Sequence, residues 1–179
     1  TRVKRLPFWA FADAGALFAA VGQPIGRLGN IVNGDIIGYP SNLPWAMRYT
    51  NPQSLAPELG VAYQPAAAYE LLIGLVMLAI LLVVWRLRHP SRGALFVLYL
   101  PMYAVSQFIV FFWRANSITA LNLKQAQLSA IALFILSLIV LAIWLRFPRL
   151  NAGPDASDQA LEPKASETSA REPAPTPDR

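Results

Sequence analysis

The chain has 179 residues, 55% of them hydrophobic and 14% charged, with a formal net charge of +5 and a mean hydropathy of +0.41. That balance is too apolar for an ordinary water-soluble domain and has the size of one membrane domain. The basic excess does not point to nucleic acid, because the lysines and arginines sit at the ends of apolar runs and form no basic face; the lack of cysteine excludes disulfides, a thiolate metal site and a cysteine nucleophile from this chain.

The first apolar run, 6–22, follows a basic start and carries Asp13 near its middle. A carboxylate facing lipid would cost about 2.5–3.5 kcal/mol on insertion scales, so Asp13 is expected to face protein or water. The basic start, apolar middle and small Ala19, Ala20 and Gly22 also fit a secretory signal peptide, but the acid argues for a spanning helix. Thr1 is not an initiator methionine, so the chain is expected to be a piece of a longer product or a processed one.

Next comes Gly26-Arg27-Leu28-Gly29-Asn30-Ile31-Val32-Asn33-Gly34-Asp35-Ile36-Ile37-Gly38, a polar island in apolar surroundings. Glycines let a backbone turn and approach a ligand, a guanidinium grips phosphate through two parallel hydrogen bonds, and asparagines fix hydroxyls or carbonyls. Such a segment suits a phospholipid headgroup. Gly22 with Gly26, and Gly34 with Gly38, also fit helix-packing spacing, but Pro24 and the surrounding polarity favour a loop, expected over 23–64.

Three further runs have spanning length: 65–85, interrupted only by Glu70, then 94–113 and 126–145, both uncharged. Each would form a helix of about 30 Å, the thickness of a hydrocarbon core. Arg86, Arg88 and Arg92 after one run, and Arg146 and Arg149 after the last, predict cytoplasmic ends, which places 23–64 and 114–125 on the outer side. His89, the single histidine, falls in the cytoplasmic connection and reads as a solvated loop residue rather than a general base. From 150 to 179 the composition turns to Pro, Ala, Ser, Glu and Asp, with six acids against three bases, which predicts a disordered cytoplasmic tail. The expected fold is therefore all-α: a polytopic integral membrane helical bundle of about four transmembrane helices over 1–149, followed by that tail at 150–179.

The polar island resembles the signature of the prolipoprotein diacylglyceryl transferase family, whose recurring form is Gly-Arg-x-Gly-Asn-Phe-x-Asn-x-Glu-x-x-Gly. Gly26, Arg27, Gly29, Asn30, Asn33 and Gly38 match, Ile31 stands in place of Phe, and Asp35 in place of Glu. The resemblance continues through Leu43-Pro44-Trp45-Ala46, Tyr49-Thr50-Asn51-Pro52 and Pro65-Ala66-Ala67-Ala68-Tyr69-Glu70, with Gln64 where His is usual. In the third span the family's Arg-x-x-x-Glu-x-x-Arg becomes Gln107, Phe111 and Arg114, so only the last cation is kept. The family's upstream half, with its histidine-bearing segment and further spans, has no counterpart here.

The resemblance implies transfer of a diacylglyceryl group from phosphatidylglycerol to the lipobox cysteine thiol of a prolipoprotein signal peptide, at the outer face of a bacterial inner membrane. It implies no metal and no organic cofactor. Arg27 would hold the phosphodiester, and Arg114 would either add a second cation or anchor the helix end beside Trp113. Gly26, Gly29, Asn30, Asn33, Asp35, Gly38, Tyr69 and Glu70 would complete the substrate site, although Arg27 also fits an interfacial cap and Tyr69 an interfacial anchor. Gln107, Phe111 and the missing half leave open a non-catalytic membrane module that binds anionic phospholipid or the lipoprotein precursor. A transporter or channel subunit is a weaker fit, lacking paired half-helices.

Overall fold

The computed structural model describes residues 8–88 and 90–146. The basic start, His89, Arg149 and the expected tail at 150–179 lie outside the described residues. Four helices, α1 (Phe8–Asn33), α2 (Ala66–Arg88), α3 (Ala94–Val110) and α4 (Gln125–Arg146), account for most of the chain that is described. α1 packs chiefly on α2 and α3 on α4, with smaller contacts of α3 against α1 and α2.

The apolar runs explain these elements. α2 and α4 are long and apolar enough to cross a membrane, with mean hydropathies of 2.6 and 2.8 in their most apolar windows, and α3 is a shorter apolar helix of 17 residues. α4 presents Ile135, Leu136, Leu138 and Ile139 outward, each about half exposed. In the interior, small Ala16 and Ala20 of α1 meet the larger Met77 and Leu81 of α2 and Leu95 and Tyr99 of α3.

Asp13 faces protein, as its charge requires. One of its oxygens accepts the Gly93 N–H at 2.6 Å and the other the Phe96 N–H at 2.9 Å, so the carboxylate of α1 caps the amino end of α3 from across the bundle. Gly93 holds φ +89, and a Cβ there would fall 2.5 Å from the Trp9 ring and 2.8 Å from the Trp144 indole nitrogen. The cap therefore demands glycine twice, for conformation and for space.

α1 corrects one expectation. The segment from Gln23 was read as loop, yet the helix continues through Gly26, Arg27, Gly29 and Asn30 to Asn33. Pro24 lies inside it, removing one backbone donor and crowding the preceding turn; burial against α2 offsets that cost, because a Cβ on Gly74 would stand 3.1 Å from the proline ring. The helix stops where Gly34, at φ +73, turns left-handed and returns its N–H to Asn30 O at 2.9 Å.

At the same end of the bundle two small antiparallel hairpins close over the helices. β1 (Met47–Arg48) pairs with β2 (Ala62–Tyr63), and β3 (Ile118–Ala120) with β4 (Leu123–Lys124). Leu121 and Asn122, both at positive φ, make the tight turn between β3 and β4. Gly38 bridges Arg114 and joins the two loop regions.

Candidate functional site

Glu70 lies in the first turns of α2, its side chain 1% exposed, and two arginines converge on it. Arg27, on the last turns of α1, forms an ion pair with Glu70 Oε2; Arg114, just beyond α3, places Nη1 3.5 Å from Oε1. Both arginine side chains are 17% exposed, so each is mostly but not wholly withdrawn from solvent. Three elements thus meet through a buried Arg-Glu-Arg triad carrying one surplus positive charge.

The rest of the polar island extends from this triad. Arg27 Nη1 donates to Asn30 Oδ1 at 3.1 Å, and Asn30 Nδ2 donates to the two Asp35 oxygens at 2.9 and 3.0 Å. Because 27 and 30 lie on one helical face, Asn30 relays between Arg27 and the exposed Asp35. The Nε atoms of Arg27 and Arg114 are buried without a hydrogen-bond partner among the described residues. Unspent donors in a dry site are costly, and an oxyanion is the group that satisfies several of them at once.

Arg114 is further fixed from below. Its guanidinium carbon lies 4.4 Å from the centre of the Phe111 ring, an arrangement worth about 0.5–2 kcal/mol. Phe111 therefore supports the cation at a position where the resemblance expects a glutamate. Burial pushes the Arg114 guanidinium below its ordinary value; the Glu70 carboxylate pulls it back up, Arg27 pushes it down and Asp35 raises it.

The glycines divide by role. Gly38 is locked between strands: its N–H donates to Gln64 O at 2.8 Å, and a Cβ would come 2.5 Å from Trp113 O and 2.7 Å from Gln64 Cβ. Gly26 and Gly29 meet nothing within 4 Å, so no neighbour demands glycine there, and their bare backbone leaves the surface beside Arg27 and Asn30 open. Asn33 stands apart from the triad, its carbonyl accepting from Leu55 N at 2.8 Å and Ser54 Oγ at 3.2 Å. Next to Glu70, the Tyr69 hydroxyl accepts from Trp45 Nε1 at 2.8 Å and its ring meets Trp113 edge-on.

An apolar groove of about 490 Å³ starts here, lined by Trp45, Gln64, Tyr69, Ile73, Ile109 and Trp113. A second of about 440 Å³ continues between α2 and α3 and shares Ile73 and Ile109 with the first. Gln107 lies elsewhere, in a cavity of mixed polar and apolar lining, about 460 Å³, between α3, α4 and the β3-β4 hairpin. Lys124, which the sequence reading passed over, is 5% exposed beside that cavity. A lone basic residue at the start of an apolar helix reads as an interfacial anchor, and no sequence signal separates it from one.

A family model described as prolipoprotein diacylglyceryl transferase matches residues 1–144. Among similar curated proteins, the phosphatidylglycerol-prolipoprotein diacylglyceryl transferase of Frankia alni is 35% identical over 150 residues, 83% of this chain and 38% of its own length. Proteins of the same name from Trichormus variabilis and Nostoc sp. are each 33% identical, over 86% and 90% of this chain and 56% and 58% of theirs. The chain thus spans from over a third to somewhat more than half of these relatives.

Proposed function

The chain belongs to the prolipoprotein diacylglyceryl transferase family, and from that premise we propose that its protein transfers the diacylglyceryl group of phosphatidylglycerol to a lipobox cysteine. The observation that carries this reading is the pair of mostly buried arginines held on buried Glu70 with unspent donors. A phosphodiester would neutralise the surplus charge of the triad.

In the proposed step the cysteine sulfur, as thiolate, attacks the glyceryl carbon that bears the phosphate. The carbon–oxygen bond breaks and its electron pair stays with the phosphate, so glycerol phosphate leaves with one more negative charge; the thiol proton has already been released at the outer surface. Arg27 and Arg114 face that developing charge where little water competes. Glu70 is their anchor, Asn30 and Asp35 orient the headgroup, Gly26 and Gly29 leave room for it, Gly38 and Tyr69 shape the surrounding wall, and Asn33 holds the loop at Ser54 and Leu55. The grooves along Ile73 and Ile109 give an acyl chain an apolar path away from the reacting carbon.

This reading places four spanning helices in a bacterial inner membrane, with the triad on the outer side and Arg86, Arg88 and Arg146 on the cytoplasmic side. A second reading, lipid binding without turnover, rests on Gln107 and Phe111 in places where the family pattern has Arg and Glu. Reconstitution of the full-length product with labelled phosphatidylglycerol and a lipobox-cysteine peptide separates them. Thioether formation supports the transferase; lipid binding with no thioether turns the assignment to the binding module.

A further inference from the structure

Next to Arg114 lies a third cation, buried Lys124. Lys124 ends β4 immediately before α4, and its ammonium donates to the carbonyl oxygens of Phe111 and Arg114. The same ammonium lies 4.9 Å from the centre of the Tyr39 ring, one residue beyond Gly38. No carboxylate pairs with it among the described residues. Its backbone N–H donates to the side-chain oxygen of buried Gln127 at 3.0 Å, and the Gln127 amide donates to Phe108 O at 3.3 Å.

These contacts have a common target. α3 ends at Val110, where the N–H groups of Phe111, Phe112 and Trp113 still turn back to the carbonyls of Gln107, Ile109 and Val110. Phe108 takes its donor from Gln127, and the carbonyls of Phe111 and Arg114, beyond the helix, take theirs from Lys124. Lys124 and Gln127 supply donors to Phe108, Phe111 and Arg114, and a cation at a helix carboxyl end also meets the negative end of the helix dipole. The Phe111 ring lies under the Arg114 guanidinium, so the ammonium that grips both backbones fixes the ring and the cation relative to each other.

We propose that Lys124 is a positioning residue for the anionic headgroup: it holds the turn after α3 so that the Arg114 guanidinium stays over Phe111 and against Glu70. The role rests on the phosphodiester reading of the triad, and it acts through Arg114 rather than by touching lipid. A buried lysine with a merely structural role would lower stability without regard to Arg114; a positioning lysine loses its effect once Arg114 is gone.

The test is a double-mutant cycle in the full-length product, reading binding of soluble short-chain phosphatidylglycerol and, separately, KM and kcat for thioether formation. Lys124→Met should weaken binding about tenfold when Arg114 is present and less than about twofold in the Arg114→Gln background. An equal loss in both backgrounds overturns the proposal. If Lys124→Met does not fold, Lys124→Gln, which keeps a two-donor end, replaces it under the same criterion. Wild-type protein that binds the lipid but forms no thioether sinks the transferase reading alone, and the binding cycle still decides for Lys124. Wild-type protein with no affinity for the lipid overturns both.

Discussion

Glu70 is the residue on which the site depends, because it is the only carboxylate among the described residues that meets Arg27 and Arg114. Replacing it by glutamine would leave two mostly dry cations facing each other. We predict that Glu70→Gln lowers stability by about 3–5 kcal/mol, the usual result of removing one partner from a buried ion pair. Asp35→Asn, at an exposed position two hydrogen bonds from Arg27, should stay within about 1 kcal/mol. Denaturant unfolding in a fixed detergent compares the two, and equal losses would deny Glu70 its anchoring role. Arg27, Glu70 and Arg114 were all legible as residues from their polar character in apolar surroundings and from the family pattern. What could not be read was their convergence on one carboxylate, since Glu70 lies 43 residues from Arg27 and 44 from Arg114 and sequence spacing is silent about such contacts.

The pairing of α1 with α2 sets the distance at which Arg27 reaches Glu70. Pro24 lies one turn before Arg27 and Gly74 one turn after Glu70, and these two positions touch. Gly74→Leu should push the helices apart, with an overpacking cost of about 1–3 kcal/mol. It should also weaken phosphatidylglycerol binding more than a leucine at exposed Gly15, where a Cβ meets nothing within 4 Å. Indistinguishable binding by the two variants would show that the contact does not set the site. The same contact explains the misread loop: proline and glycine punctuate a sequence as breaks, but here one proline is tolerated inside a helix because a glycine on its neighbour makes room. The apolar runs at 65–85, 94–113 and 126–145 correspond closely to α2, α3 and α4, where no such local conflict intervenes. Asp13 was legible as protein-facing from its charge alone; its partners, the amides of Gly93 and Phe96, depend on the tertiary fold.

The whole molecule has two chemically different ends. One gathers Asp13, Gly93, Trp144 and the arginines that close α2 and α4; the other gathers the triad, the two hairpins and the grooves. We propose that the membrane lies between them. The 179 residues hold no cysteine, so within them a single replacement gives one labelling site, and the parent protein serves as the blank. In intact cells an impermeant maleimide should react with Asn51→Cys and not with Arg88→Cys, and the reverse pattern would invert the orientation. The account's central claim is that Arg27 and Arg114 act together on one phosphodiester. Its most direct test is the rate of diacylglyceryl transfer from labelled phosphatidylglycerol by full-length protein carrying Arg27→Lys, Arg114→Lys or both. Lysine keeps the charge but not the planar fork, so each single change should slow transfer about a hundredfold and the pair little further, as groups acting as one unit do. Unchanged transfer in Arg27→Lys, or losses that simply multiply in the double variant, would contradict it.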